Sequence, residues 1–132
     1  MSDLVSPSAA LVEQELRATD SWIRSHVSEY SAFHYRQVLI LRLQSMGTSI
    51  TAHLSSELEL LNHLIQTFTD RESLFLHRRF ALKLLSKEGI DCRATEKQFI
   101  QEQESTVGHE DWRRFVVQRH RKWFERYFET FE

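Results

Sequence analysis

The sequence predicts an all-α fold of antiparallel helical hairpins stacked as an α-α superhelix, with two clear repeats and a divergent C-terminal helical segment. Three observations predict it. Three glycines and one proline in 132 residues leave few places where the backbone must break, and the residues that fill the chain are mostly tolerated in helices. Apolar residues recur at steps of three and four, the period of a helix with one buried face. Finally, the stretch Tyr30-Ser31-Ala32-Phe33-His34-Tyr35-Arg36 has a chemical counterpart in Glu72-Ser73-Leu74-Phe75-Leu76-His77-Arg78, with both Phe33/Phe75 and Arg36/Arg78 separated by 42 residues. A period of that length is one helical hairpin.

The elements follow in order within a single helical-repeat domain, 1–132. Repeat one spans about 8–47. Ser8, after Pro7, is placed to cap the first helix, where Val12, Leu16, Ile23 and Val27 form an apolar stripe that Trp22 widens. A break near Ser28-Glu29 precedes a second helix, whose apolar residues from Phe33 to Met46 spread around most of its circumference, as expected of a helix with neighbours on two sides. Gly47 suits its left-handed cap.

Repeat two spans about 49–89. Leu54, Leu58, Leu61, Ile65 and Phe68 form the cleanest stripe in the chain; Ser56 with Glu59 has capping-box spacing, while a stripe that already begins at Leu54 allows an earlier start. Thr69-Asp70 breaks this helix. The next carries Phe75, Phe80, Ala81, Leu82, Leu84 and Leu85 and closes at Gly89. The C-terminal helices fall at about 94–132. Thr95 and Gln98 offer another capping box for a short polar helix with Phe99 and Ile100. After a break at 105–109, a last helix places Trp112, Val116, Trp123, Tyr127 and Phe131 mostly on one face.

Composition narrows the function classes. Seventeen basic against 19 acidic residues give a net charge of −2, so no global attraction to nucleic acid or anionic membrane is expected. The single cysteine, Cys92, cannot form an internal disulfide, and no Cys-x-x-Cys pair is present. No apolar run approaches a membrane span, and the first residues lack a signal peptide's pattern; a soluble, cytoplasmic protein is expected. Neither His53/His63 nor His109/His120 has the spacing of a helical zinc site, so no metal site is assigned. The basic and tryptophan-containing segment from Trp112 to Arg126 is read as a docked final helix with solvated charges, not as a nucleic-acid or membrane surface.

The repeated positions have a physical reading of their own. An aromatic early in the second helix wedges between the helices of its hairpin. The arginine three residues on lies on the same side and reaches the end of the preceding helix or a carboxylate on the adjacent hairpin, with Glu15 and Glu57 as candidate partners.

Glu15-Leu16, followed by Phe33 18 positions after Glu15, and Glu57-Leu58, followed by Phe75 at the same distance, resemble the protein prenyltransferase α-subunit repeat, whose pattern is an early Glu-Leu and then Asn-Tyr-x-x-Trp-x-x-Arg. His77-Arg78-Arg79 stands where that family often has a His-Arg-Arg run. The sequence also departs from the pattern. Phe33 and Phe75 replace the Trp, Glu29 replaces the Asn, and Arg71-Glu72 replaces Asn-Tyr. Ser28 and Asp70 stand where catalytic α subunits place, in some repeats, a lysine that reaches the isoprenoid diphosphate.

The resemblance implies a non-catalytic α-type subunit that helps a prenyltransferase β subunit transfer a farnesyl or geranylgeranyl group to protein cysteines, with no turnover alone. It implies no cofactor in this chain; zinc and the isoprenoid diphosphate belong to the β subunit. The expected partners are that subunit and a protein substrate with a C-terminal cysteine. Partner-binding candidates are Tyr30, His34, Tyr35, Arg36, His77, Arg78 and Arg79, and the repeat's structural positions are Glu15, Trp22, Phe33, Glu57 and Phe75. Family members carry more repeats than two, so the chain is expected to be a fragment, a short isoform or a truncated relative. The competing class is a helical-repeat scaffold for protein–protein interaction unrelated to prenylation.

Overall fold

A computed structural model describes residues 7–27, 30–68, 70–108 and 111–129. Six α-helices follow one another: α1 (Pro7–Arg24), α2 (Tyr30–Ser45), α3 (Thr51–Thr67), α4 (Glu72–Lys87), α5 (Arg93–Thr106) and α6 (Asp111–Phe124), which runs on into a π-helical turn at Glu125–Glu129. No strand occurs among the described residues. α1 pairs with α2, α3 with α4, and α5 with α6, while α4 packs against both α2 and α6. The divergent C-terminal segment is therefore itself a hairpin, and the second helices of the three hairpins stack through α4. This double-sided contact buries the apolar residues of α4 on two faces, whereas Val38 and Leu41 of the equally broad α2 remain exposed.

Two hairpin ends are built alike. Gly47 and Gly89 have φ of 78° and 84°, and just beyond each the next amide reaches back five residues, Thr48 N to Leu43 O at 3.1 Å and Ile90 N to Leu85 O at 3.0 Å. This is the Schellman arrangement, which satisfies the last carbonyls and needs a left-handed residue. A Cβ added at Gly89 would meet nothing within 4 Å, so Gly89→Ala is expected to cost only the backbone strain, about 1 kcal/mol. A urea melt with an unchanged slope and a midpoint lowered by that amount checks it.

The helix starts differ from the capping expectation. Ser8 lies inside α1, Ser56 and Glu59 lie inside α3, and Thr95 lies inside α5. The residues flanking α3 and α5 are Ile50 and Cys92, neither forming a side-chain capping bond, and both are buried. Apolar burial anchors these ends where a polar cap was expected. The breaks at Ser28-Glu29 and Thr69, and Phe131 on the last stripe, lie outside the described residues.

Phe33 and Phe75 are completely buried, and each reaches beyond its own hairpin. The Phe33 ring lies 5.2 Å from that of His77 on α4; Phe75 lies 5.3 Å from His120 and 6.3 Å from Phe99. They wedge hairpin to hairpin, each contributing about 1.5–3 kcal/mol on burial. Trp22 does not join the core. It is exposed, with its ring stacked 3.8 Å from that of His26. Trp112 is exposed as well, but its Nε1 donates to the Asp70 carbonyl at 2.7 Å and so ties α6 to the turn before α4. No helix among the described residues is long and apolar enough to cross a membrane.

Candidate functional site

The chemistry-bearing residues of the repeat converge at the two joints between hairpins. At the first joint Glu57 projects from α3 toward the preceding hairpin. Arg36 on α2 grips it with a fork, Nε donating to Oε2 at 3.1 Å and Nη2 donating to Oε1. The remaining arm, Nη1, donates to the Leu16 carbonyl at 2.8 Å and to Thr19 Oγ1 at 2.7 Å on α1. From the other side His77 Nε2 lies 2.7 Å from Glu57 Oε2, and its Nδ1 is 3.2 Å from Gln37 Nε2. Arg36, Glu57 and His77 are exposed by only 4%, 3% and 0%.

The second joint repeats the first one hairpin later. Glu96 on α5 accepts from Arg78 Nε at 2.9 Å and from Nη2 at 2.8 Å. Arg78 Nη1 donates to Asn62 Oδ1 at 2.8 Å on α3 of its own hairpin, and its guanidinium lies 3.5 Å above the Phe99 ring. His120 Nε2 sits 2.6 Å from Glu96 Oε2. Arg79 Nε donates to His120 Nδ1 at 3.2 Å. An arginine cannot give up its proton to serve as acceptor, so His120 Nδ1 must be the bare nitrogen and His120 is the neutral Nε2–H tautomer, donating to Glu96.

Electrostatics agree with this assignment. Burial pushes the Glu57 carboxyl up, but the hydrogen bonds from His77 and Arg36 outweigh it and hold the carboxyl down at about 2. Glu96 is likewise held below the usual range, its burial overcome by His120 and Arg78. Burial lowers His120, against the pull of Glu96. A carboxyl lowered in the folded state stabilises above its unfolded value, and that stability disappears as pH falls through the folded value. A histidine lowered in the folded state likewise stabilises least in acid, because the unfolded chain takes up its proton first. Folding stability is therefore expected to be level between about pH 7 and 8, to fall as pH drops through 6.5 and His120 is called on to protonate, and to drop further between about 4.5 and 2, where Glu57 alone accounts for roughly 3 kcal/mol. Urea midpoints measured from pH 8 to 3 check it; a midpoint that rises on acidification contradicts it.

These joints redistribute the residues singled out in the sequence. Arg36, His77 and Arg78 are consumed inside the stack, since each faces a buried carboxylate and none reaches the surface. Arg79 is half-buried against His120 and Trp123. His34 and Tyr35 are exposed; the Tyr30 side chain and Ser28 lie outside the described residues. Glu57 partners Arg36 as anticipated, but Glu15 is exposed and pairs with no arginine of the repeat, because each fork points toward the following hairpin. Glu96 and His120 stood outside the sequence expectations. The signal for them was His120-Arg121-Lys122-Trp123, which follows His77-Arg78-Arg79-Phe80 at 43 residues. It is hard to see because Gln118 occupies the place of Phe75 and Glu96 follows Glu57 at 39 residues, out of step with the arginines.

A buried carboxylate held between an arginine and a histidine, with no access to solvent, joins helices. This defines a helical-hairpin repeat protein whose hairpins are joined by Arg–Glu–His clusters. Residues 12–43, within α1 and α2, match the model of the protein prenyltransferase alpha subunit repeat. The chain is also similar to the protein prenyltransferase alpha subunit repeat-containing protein 1-A of Xenopus laevis, 28% identical over 111 residues, covering 58% of this chain and 26% of that protein. It thus spans about a quarter of the length of the curated relative it matches.

Proposed function

We propose that this chain is a non-catalytic, α-type scaffold of a protein prenyltransferase, which holds a β subunit while that subunit transfers an isoprenoid to a cysteine of an acceptor protein in the cytoplasm. The observation that carries this reading is the match to the α-subunit repeat at 12–43, set in a stack whose buried ionisable residues, Arg36, Glu57, His77, Arg78, Glu96 and His120, are used as joints. The remaining chemistry is positional. His34 and Tyr35 are exposed on α2, and Tyr35 is the side chain best placed to meet a partner. Asp70 is exposed and anionic at the place where a lysine would greet a diphosphate, and it would repel one. Zinc and isoprenoid diphosphate accordingly belong to the β subunit.

Co-expression with a prenyltransferase β subunit, followed by transfer of labelled isoprenoid to a protein with a C-terminal cysteine, tests the reading. Capture and transfer are expected together, and Y35A is expected to weaken capture while leaving the melting temperature unchanged. Absence of a complex at micromolar concentrations would overturn it in favour of a scaffold unrelated to prenylation.

A further inference from the structure

Each joint has two halves, and among the described residues α1 and α6 each carry a half that meets no neighbouring hairpin. Arg121 follows Arg78 at 43 residues, as Arg78 follows Arg36 at 42, and it keeps the own-hairpin part of the pattern. Its Nη1 donates to Glu104 on α5 at 2.7 and 2.9 Å, as Arg36 Nη1 does to Thr19 and Arg78 Nη1 to Asn62. The fork is what differs. At Arg36 and Arg78 the Nε edge grips a glutamate from the next hairpin; at Arg121 it meets only Glu125, one turn along its own helix, at 3.3 Å. Arg121 is half exposed on the rim of an open cleft of about 250 Å³ lined by Lys97, Ile100, Gln101, Glu104 and Phe124.

The other end offers the complementary half. Glu15 precedes Glu57 by 42 residues and lies on the face of α1 that corresponds to the joint face of α3. In α3 that face is Glu57, Leu60 and Leu64, all buried. In α1 it is Leu11, Glu15, Ala18 and Trp22, all exposed, Leu11 by 67%. These four recur at steps of four, three and four, which places them on one stripe. Tyr35 holds the place of His77, beside the joint, and is exposed too. A glutamate flanked by Leu11 and Trp22 on one open face, and an arginine on the rim of a largely polar cleft floored by Ile100 and Phe124 on the other, are the two halves of one joint in register.

We infer that this chain binds a second copy of itself head to tail, α1 of one copy docking on the α5–α6 end of the next so that Glu15 enters the Arg121 fork in place of Glu125. The contact is heterologous, so it leaves one free half at each end of every assembly and does not close at two copies. It rests on the register of the joints and not on the prenylation reading.

Sedimentation equilibrium of the chain over a wide concentration range tests it. The average mass is expected to rise past that of a dimer without levelling there. Glu15→Ala alters an exposed residue and should melt like the unaltered chain. Arg121→Ala also removes the exposed Glu104 bridge and should lower the melting temperature by no more than a few degrees. Each should associate at least about tenfold more weakly. The decisive arm mixes the two variants. E15A retains its arginine fork and R121A retains its glutamate, so an equimolar mixture should form a dimer and nothing larger. A monomer throughout, a dimer that saturates at two copies, or association untouched by both substitutions would each overturn the inference.

Discussion

Glu57→Ala is expected to lower folding stability by about 3–5 kcal/mol, because it leaves Arg36 and His77 buried and facing each other with no anion between them. For a chain of this size that corresponds to a fall in melting temperature of about 10–20 °C. The effect is asymmetric. The intact cluster contributes modestly relative to an apolar joint of the same shape, since three polar groups had to leave water to form it, whereas removing one member leaves desolvated groups unpaired. Glu15→Ala is the control, since Glu15 has the same repeat position but is exposed, and it should change stability by less than about 0.5 kcal/mol. Thermal melts of the two variants side by side check the claim; equal effects would show that the joint does not hold Glu57 as described.

Phe75→Ala is expected to cost a further 3–5 kcal/mol by opening a cavity at the centre of the stack. Its ring touches Phe99 on α5 and His120 on α6, so the loss falls on the second joint. In a repeat protein each unit is stabilised mainly by its neighbours. The third hairpin should therefore loosen before the first, and amide hydrogen exchange in α5 and α6 should accelerate more than in α1 and α2. Uniform acceleration across all six helices would mean that the chain unfolds as one cooperative unit. Phe75→Trp, which brings the residue of the family's pattern, is expected to overpack this site and cost about 1–3 kcal/mol.

Much of the architecture was legible in the residues. Helical periodicity placed the apolar stripes of α1 and α3, and the 42-residue recurrence of Phe and Arg located the first two hairpins. Gly47 and Gly89 marked hairpin ends because only glycine adopts their φ without strain. The helix starts were less legible. Ser8, Ser56 and Thr95 have the chemistry of caps, yet a capping signal measures a local preference, and the burial of Ile50 and Cys92 outweighed it.

The joints were legible only in part. Arg36 and Glu57 could be matched from repeat spacing, but Glu15 and Glu57 were equivalent on every local measure, and nothing along the chain distinguishes a carboxylate covered by a preceding hairpin from one that is not. His77 carried the same ambiguity. Read locally it is a polar residue beside a surface tyrosine's counterpart, and only the packing of α4 on α2 turns it inward to Glu57. The third hairpin was obscured because Gln118 interrupts the aromatic pattern; Glu96 and His120 identify it through their bonds, not through their neighbours in sequence.

Local preferences act over a turn or two, and they are sufficient to choose helix over strand, set the period of the hairpins and mark where each one stops. They cannot say which face of a hairpin is covered, since that depends on what stacks against it. Tertiary contact alone decided that Arg36 and Arg78 are internal clasps, that His120 is a neutral donor to Glu96, and that Glu15 and Arg121 remain as open halves of the same joint.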